Sequence, residues 1–153
     1  MVKPEPVEVK TIESIMSKQL VSMDADSNAF QAAKKMSEKN ISAIVITDSG
    51  KIVGILTERD LIKQVCAADL QASKTPVVSI MSAPLIDIDK DSAVEKAAEI
   101  MIKNKVRHLG VRDSSSNHQI IGIISSRDLI RLLIHKLESH TKIFSWLDSV
   151  DIV

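Results

Sequence analysis

The sequence is poor in the residues that several classes of function require. Its single cysteine, Cys66, excludes an intrachain disulfide and a cysteine-rich zinc site. Aromatic residues make up 2% of the 153 residues and tyrosine is absent, so platforms that stack single-stranded bases are not expected. The 20 basic residues balance 20 acidic ones, which argues against a general electrostatic attraction to nucleic acid or anionic lipid.

Long apolar runs are missing as well. No stretch approaches the ~18 apolar residues of a membrane span, and the first residues, MVKPEP, lack the apolar core of a signal peptide. The four glycines include no Walker-type phosphate-binding run. Apolar residues nevertheless make up 44% of the chain, which is enough for a globular core at this length. We therefore expect a soluble, cytoplasmic protein without a membrane segment.

The chain does contain an internal repeat. A shift of 65 residues places Ser14–Ser17 on Ser79–Ser82, and both segments read SIMS. After an insertion of three residues in the second half, a shift of 68 places Ile52–Ile62 on Ile120–Ile130. Because identity resumes in register beyond the insertion, the two halves are predicted to be copies of one folding unit.

Each copy reads as strand, helix, two strands and a closing helix. The strands are predicted at residues 20–23, 41–47 and 51–56, and at 85–88, 108–112 and 120–124. Ser92, with Glu95 three residues later, fits a capping box at the start of the second copy's first helix. A unit of about 60 residues buries little surface alone, so the copies are predicted to pack into one α/β (α+β) body.

The domain boundaries follow from the repeat. We predict an extended N-terminal segment at residues 1–10, the first copy at 11–69, a linker at 70–76, the second copy at 77–137 and a C-terminal tail at 138–153. In the tail, Ile143, Phe144, Leu147 and Val150 are spaced like one face of a helix. This tail either folds back on its own protein or contacts a second subunit or another protein.

The residues best suited to chemistry lie at the two strand-to-helix junctions, GILTERD and GIISSRD. Each junction has a hydroxyl, an arginine and an aspartate at one spacing: Thr57, Arg59 and Asp60, and then Ser125, Arg127 and Asp128. Helix capping by the hydroxyl and the aspartate is the simpler explanation. A cap needs no arginine, however. A hydroxyl and a guanidinium at a helix start suit phosphate, and an aspartate can accept hydrogen bonds from a ribose diol.

Two glycines precede these junctions. Gly54 and Gly122 are expected to let a ligand approach the strand backbone closely.

The order, spacing and duplication of these motifs resemble a pair of cystathionine-β-synthase (CBS) domains, an arrangement often called a Bateman module. The resemblance covers about residues 10–137. It implies two copies packed through their sheets about a pseudo-twofold axis, with two clefts that bind an adenosine-containing ligand reversibly. Such ligands are AMP, ADP, ATP, S-adenosylmethionine and NAD-type nucleotides. It also implies a regulatory protein without catalysis or metal, which forms a homodimer and acts on an unidentified regulated protein.

The resemblance also assigns roles to individual residues. Asp60 and Asp128 would hold the ribose, while the hydroxyls and arginines of the same junctions would face phosphate. The adenine would lie against the opposite copy, near Ile41, Ser42 and Ala43 or near Val106, Arg107 and His108. The clefts would be flanked by Met16, Ser17, Met81 and Ser82.

The two clefts are expected to differ, because Ser42 and Ala43 correspond to Arg107 and His108. Arg107 is permanently charged, and His108 is expected to gain charge near neutral pH. The cleft of Thr57 should therefore favour ligands that carry more phosphate.

Two other functions fit parts of the sequence. One is a structural dimerisation module without a physiological ligand, and the other is a nucleic-acid-binding regulator, against which the neutral charge counts. The closing helices carry more apolar residues than one small body easily hides, which favours a homodimer. These residues are Leu61, Ile62, Val65, Leu129, Ile130, Leu132, Leu133 and Leu137.

Overall fold

The computed structural model describes the backbone of residues 11–140 and the side chains of residues 11–135. Each half contains one three-stranded sheet, in the strand order β1-β2-β3 and β4-β5-β6. The strands are β1 (Ser22–Asp24), β2 (Ala43–Asp48), β3 (Lys51–Thr57), β4 (Asp87–Asp89), β5 (His108–Asp113) and β6 (Gln119–Ser125). In both sheets the first strand pairs parallel to the second, and the second pairs antiparallel to the third.

Two helices accompany each sheet, which confirms the predicted order of elements and the mixed fold class. They are α1 (Ala29–Lys39), α2 (Glu58–Leu61), α3 (Val94–Asn104) and α4 (Ser126–His140). A π-helical stretch, Ile62–Cys66, continues α2. Short 3-10 turns lie at Ile12–Ser14, Ala72–Lys74 and Val77–Ser79. Within residues 11–140 no helix is long and apolar enough to cross a membrane.

The first helices of the two halves begin differently. Asn28 and Gln31 form a capping box at α1, in which each side chain accepts the backbone N–H of the other at 2.9 Å. The capping box predicted for Ser92 and Glu95 is wrong, because α3 is preceded by Ala93 and has no side-chain cap. Ser92 is instead held in a turn, where its N–H donates to the carbonyl of Asp89.

A segment from the other half completes each hydrophobic core. Residues 11–17 lie on the second sheet, where Ile12 is fully buried and packs in one cluster with Leu109 and Ile124. Residues 77–82 lie on the first sheet, where Val77 and Ile80 are buried. We call these two stretches the crossing segments. Both SIMS motifs therefore pack on the sheet of the opposite half, which the order of the sequence did not predict.

Backbone hydrogen bonds hold the crossing segments at the sheet edges. Ser17 exchanges two N–H···O bonds with Ile123, at 2.9 and 3.0 Å, and Ser82 exchanges two with Ile55, also at 2.9 and 3.0 Å. These four bonds tie the two halves together.

The two glycines next to these bonds make the close approach possible. A Cβ on Gly54 would lie 2.8 Å from Met81 Sδ, and one on Gly122 would lie 2.7 Å from Met16 Sδ. Each would also lie 2.8 Å from a serine carbonyl oxygen of the crossing segment. The expectation that these glycines admit a ligand is therefore wrong, because the crossing segments occupy that space.

The segments outside the two sheets are only partly described. In residues 70–76, Thr75 is buried and its carbonyl accepts the N–H of Ala29 at 2.8 Å, so this stretch packs against the start of α1. The segment 1–10 and residues 141–153 of the predicted tail lie outside the described residues. The first three residues assigned to the tail belong to α4.

Candidate functional site

Two clefts lie between the halves, and each contains one of the predicted junctions. The first cleft is lined by Thr57, Arg59, Asp60, Ser82, Val106, Arg107 and His108, among others. The second cleft is lined by Ser17, Ile41, Ser42, Ala43, Ser125, Arg127 and Asp128, among others. Each junction thus faces the strand start of the opposite half and one serine of a crossing segment. Fourteen of the sixteen predicted site residues are brought together in this way.

The two methionines are the exceptions. Met16 and Met81 do not line either cleft. Their sulfur atoms point at the glycine backbone of the sheets, and their side chains pack against the hydrophobic cores.

Sequence analysis missed several residues of the clefts. The first cleft also contains residues 84–86 and Lys105, and the second contains residues 19–21, Asn40 and Arg131. The 65-residue shift pairs 19–21 with 84–86 and Asn40 with Lys105. The repeat therefore predicts the additional residues of one cleft once those of the other are known. Neither group belongs to a motif that sequence analysis had singled out.

Both junctions form capping boxes. The hydroxyl of Thr57 donates to Asp60 Oδ2 at 2.6 Å, and the Thr57 N–H donates to the same oxygen at 2.9 Å. Ser125 makes the same two bonds to Asp128 Oδ2, at 2.6 and 2.8 Å. The capping explanation is thus correct as local geometry. It uses only one oxygen of each carboxylate, so it does not exclude a second role.

The second carboxylate oxygens are available within the clefts. Asp60 Oδ1 has no hydrogen-bond partner among the described side chains and backbone. Asp128 Oδ1 lies 3.7 Å from a guanidinium nitrogen of Arg131. Each aspartate lines its cleft and uses one oxygen in the cap, so its other oxygen can accept hydrogen bonds from a ligand.

The cations of the two clefts differ in number and in pairing. In residues 11–135 the ion pairs do not involve Arg59, Lys105 or Arg107 of the first cleft, nor Arg127 of the second. The first cleft therefore has three unpaired cations and the second has one. Unpaired guanidinium groups beside a cleft are suited to an anion such as phosphate.

His108 forms part of the wall of both clefts. Its Nε2 lies 3.4 Å from the hydroxyl of Ser42, so the two side chains meet across the interface between the halves. Burial, together with the positive charge of Arg107, lowers the pKa of His108 from 6.5 to about 4, against a raising effect of Asp128. The imidazole is neutral at pH 7. The expectation that it gains charge near neutral pH is therefore wrong.

The cavities of both clefts are small. The first encloses a cavity of about 110 Å³ and the second one of about 240 Å³. Both lie below the ~300–1,000 Å³ of pockets that enclose most of a drug-sized ligand, so part of a nucleotide-sized ligand would remain in solvent. Within the described part of the chain, no three His, Cys, Asp or Glu side chains are grouped to hold a metal ion.

Comparison with solved structures shows close relatives of this architecture. A protein with CBS domains from Burkholderia ambifaria superposes with a TM-score of 0.77 at 27% identity, covering 82% of this chain and 95% of that chain. The CBS domain pair of protein MJ0100, in complex with 5′-methylthioadenosine and S-adenosyl-L-methionine, gives a TM-score of 0.73 at 29% identity, covering 84% of this chain and 98% of that one.

Sequence comparison leads to the same family. An uncharacterized 17.7 kDa protein of Acidianus ambivalens is 38% identical over 115 residues, which are 74% of this chain and 65% of that protein. The CBS domain family matches this chain twice, at residues 12–67 and 77–135. Because these two matches cover most of the sequence and coincide with the two sheets and their helices, the chain belongs to the CBS-domain family and is built from a tandem pair of CBS domains.

Proposed function

We propose that this CBS pair is a regulatory module that binds adenosine-containing ligands reversibly in its two clefts and catalyses no reaction. One observation carries the proposal: each cleft combines an aspartate whose cap uses only one carboxylate oxygen with an unpaired arginine in the same lining. A ribose diol and a phosphate need these two groups, an acceptor and a cation. The complex of the MJ0100 pair with two adenosine derivatives supports the same ligand class.

The remaining walls suit a purine base. Leu85, Ile86 and Val106 provide an apolar surface in the first cleft, and Leu20, Val21 and Ile41 provide one in the second. A base that lies against these side chains leaves its ribose near the aspartate and its phosphates near the arginine. AMP, ADP and ATP fit this arrangement of base, ribose and phosphate. S-adenosylmethionine and NAD share the adenosine group with them.

Ligand binding would act on the arrangement of the two halves. A ligand in the first cleft would contact the Asp60 junction, the strand start at Arg107 and the crossing segment at Ser82. Such a ligand favours one relative orientation of these three segments over others. Coupling between a ligand and a distant partner of this kind is typically ~1–3 kcal/mol. We propose that a regulated protein, not yet identified, senses this orientation.

We also propose that the module is a homodimer that uses the closing helices. Val65 and Leu132 are buried in the cores, but Ile62, Ile130 and Leu133 are 62%, 56% and 57% exposed. Exposed apolar side chains on both closing helices are typical of an interface. A monomeric mass by light scattering at micromolar concentration would contradict this assembly.

The test is a titration of nucleotides into the wild type and into Asp60→Ala and Asp128→Ala. Isothermal titration calorimetry with AMP, ATP, S-adenosylmethionine and NAD should show binding that each variant loses at one cleft. Removal of a charge-assisted hydrogen-bond acceptor predicts about ten- to hundredfold weaker binding there. A ligand that binds the folded chain should also raise its melting temperature with concentration.

Asn28→Ala is the matched control, because it removes a capping side chain of α1 outside both clefts. It should lower stability without changing affinity. If the aspartate variants bind nucleotide as tightly as the wild type, the ribose assignment is wrong. If no adenosine-containing ligand binds and the dimer is intact, the structural dimerisation module becomes the better description.

A further inference from the structure

Lys105 adopts a backbone conformation that lysine seldom has. It ends α3 with φ 56° and ψ 34°, in the left-handed region that favours glycine and tolerates asparagine. The next residue closes the helix end, since the N–H of Val106 donates to the carbonyl of Met101 at 3.0 Å. The fold thus requires left-handed backbone at this position, and lysine meets the requirement with steric strain.

The same position in the first half is occupied by a residue suited to it. Asn40 ends α1 with φ 51° and ψ 48°, and the N–H of Ile41 donates to the carbonyl of Met36 at 3.0 Å. The two helix ends are therefore equivalent in geometry but not in residue type. An asparagine at position 105 would relieve the strain, so a purely structural role does not account for the lysine.

The two residues also occupy equivalent places in the clefts. Lys105 lines the first cleft and Asn40 lines the second. Lys105 is exposed and takes part in no ion pair among residues 11–135. Together with Arg59 and Arg107 it gives the first cleft a charge excess that one carboxylate, Asp60, does not balance. The excess in the second cleft is smaller, because Arg131 lies beside Asp128 and Arg127 is the one cation left unpaired there.

We propose that Lys105 determines how many phosphates the first cleft prefers, by contacting the distal phosphates of a nucleoside diphosphate or triphosphate. Lys105 lines the first cleft together with Arg59 and Arg107, so the three cations border one cavity. This inference rests on the proposed function, since it assumes that the first cleft binds adenosine-containing ligands. It adds a residue and a preference for the phosphate chain to that function.

Lys105→Asn tests the proposal, because it installs the residue that the equivalent position already carries. Calorimetric titration of the full chain should show ATP binding about tenfold more weakly at the first cleft, with adenosine affinity changed less than about twofold. The dependence of ATP affinity on salt should fall as well. The melting temperature should rise by about 2–4 °C, because asparagine relieves the backbone strain.

Lys103→Asn is the matched control. It removes the same charge two residues earlier, from an exposed position in the last turn of α3 that lines neither cleft. It should leave the preference for ATP unchanged and should not raise the melting temperature. The converse variant, Asn40→Lys, should lower the melting temperature and strengthen ATP binding at the second cleft.

The outcomes separate this inference from the function on which it rests. If the wild type binds ATP and Lys105→Asn keeps the same ATP-to-adenosine preference, the role of Lys105 is refuted and the nucleotide-binding function stands. If Lys103→Asn reduces the preference for ATP over adenosine as much as Lys105→Asn does, the preference depends on the overall charge of the protein and the inference fails. If the wild type binds neither adenosine nor ATP, the proposed function itself is wrong, and the inference fails with it.

Discussion

Protonation of His108 should make the fold less stable in mild acid. The side chain lies between the two halves, where burial and Arg107 lower its pKa to about 4. In the unfolded chain the same imidazole has its ordinary pKa of 6.5. Above pH 6.5 it is neutral in both states and contributes no pH dependence. As the pH falls through 6.5, the unfolded chain takes up a proton that the folded chain does not, so unfolding becomes more favourable.

The size of this effect follows from the two pKa values. Between pH 6.5 and about 4 the free energy of unfolding falls by about 1.4 kcal/mol for each pH unit. It reaches about 3 kcal/mol near pH 4, where the folded protein also becomes protonated. This is a large part of the ~5–15 kcal/mol that stabilises a typical domain.

Urea unfolding of the wild type and of His108→Gln at half-unit steps from pH 8 to pH 4 measures this contribution. Carboxyl groups also change the stability at the acid end of this series; for example, hydrogen bonds from Ser115 and Lys90 lower the pKa of Asp113, so its contribution begins to fall as the pH approaches 4. The informative quantity is therefore the difference between the two proteins. The difference in free energy of unfolding between His108→Gln and the wild type should be constant above pH 6.5. It should then change in favour of the variant, by up to about 3 kcal/mol at pH 4. His118→Gln, at an exposed turn position, is the control and should follow the wild type. Parallel curves for wild type and His108→Gln would refute the reasoning.

Three further predictions concern stability and are measured by urea or thermal unfolding. Gly54→Ala should destabilise the fold by about 1–3 kcal/mol, because its Cβ would lie 2.8 Å from a backbone carbonyl of the crossing segment. Gly50→Ala meets no atom within 4 Å, but its φ of 76° is strained for alanine, so it should cost about 1 kcal/mol through the backbone alone. Asn28→Ala should cost about 1 kcal/mol through the lost capping box, whereas Ser92→Ala, which caps no helix, should be close to neutral. Leu56→Ala, at a fully buried position of the first core, should cost about 2–5 kcal/mol. A Gly54→Ala variant as stable as the wild type would contradict the close packing of the crossing segment.

The repeat made most of the fold predictable from the sequence. The six strands and four helices occur in the predicted order, and each strand lies within a few residues of its expected position. The β-branched apolar runs of β2 and β3 and the turn between them are local features, so a sequence pattern can show them. The capping residues were harder to predict, because the N-cap position is one residue later than Ser92 and is occupied by Asn28 in one copy and by Ala93, which cannot cap, in the other.

The crossing segments could not be predicted in the same way. The SIMS motif of each half is adjacent in sequence to its own sheet, and nothing in its composition shows that Ile12 packs beside Leu109. The misassigned role of Gly54 and Gly122 has the same origin. A glycine that permits close approach is visible in the sequence, but the atoms that approach it are not. His108 was misjudged for a related reason, since its charge depends on burial between the halves.

Under the proposed function, the crossing segments also explain how a ligand in a small cleft would affect both halves. Ser82 is part of the wall of the first cleft and at the same time exchanges two backbone hydrogen bonds with Ile55 of the first sheet. It is also followed by residues 84–86, which lead into β4 of the second sheet. A ligand that contacts Ser82 and Arg107 therefore acts on the connection between the sheets as well as on their surfaces. Since a packed core has discrete arrangements rather than a continuous range, a small preference of the ligand for one position of this segment is sufficient to favour one arrangement of the two halves.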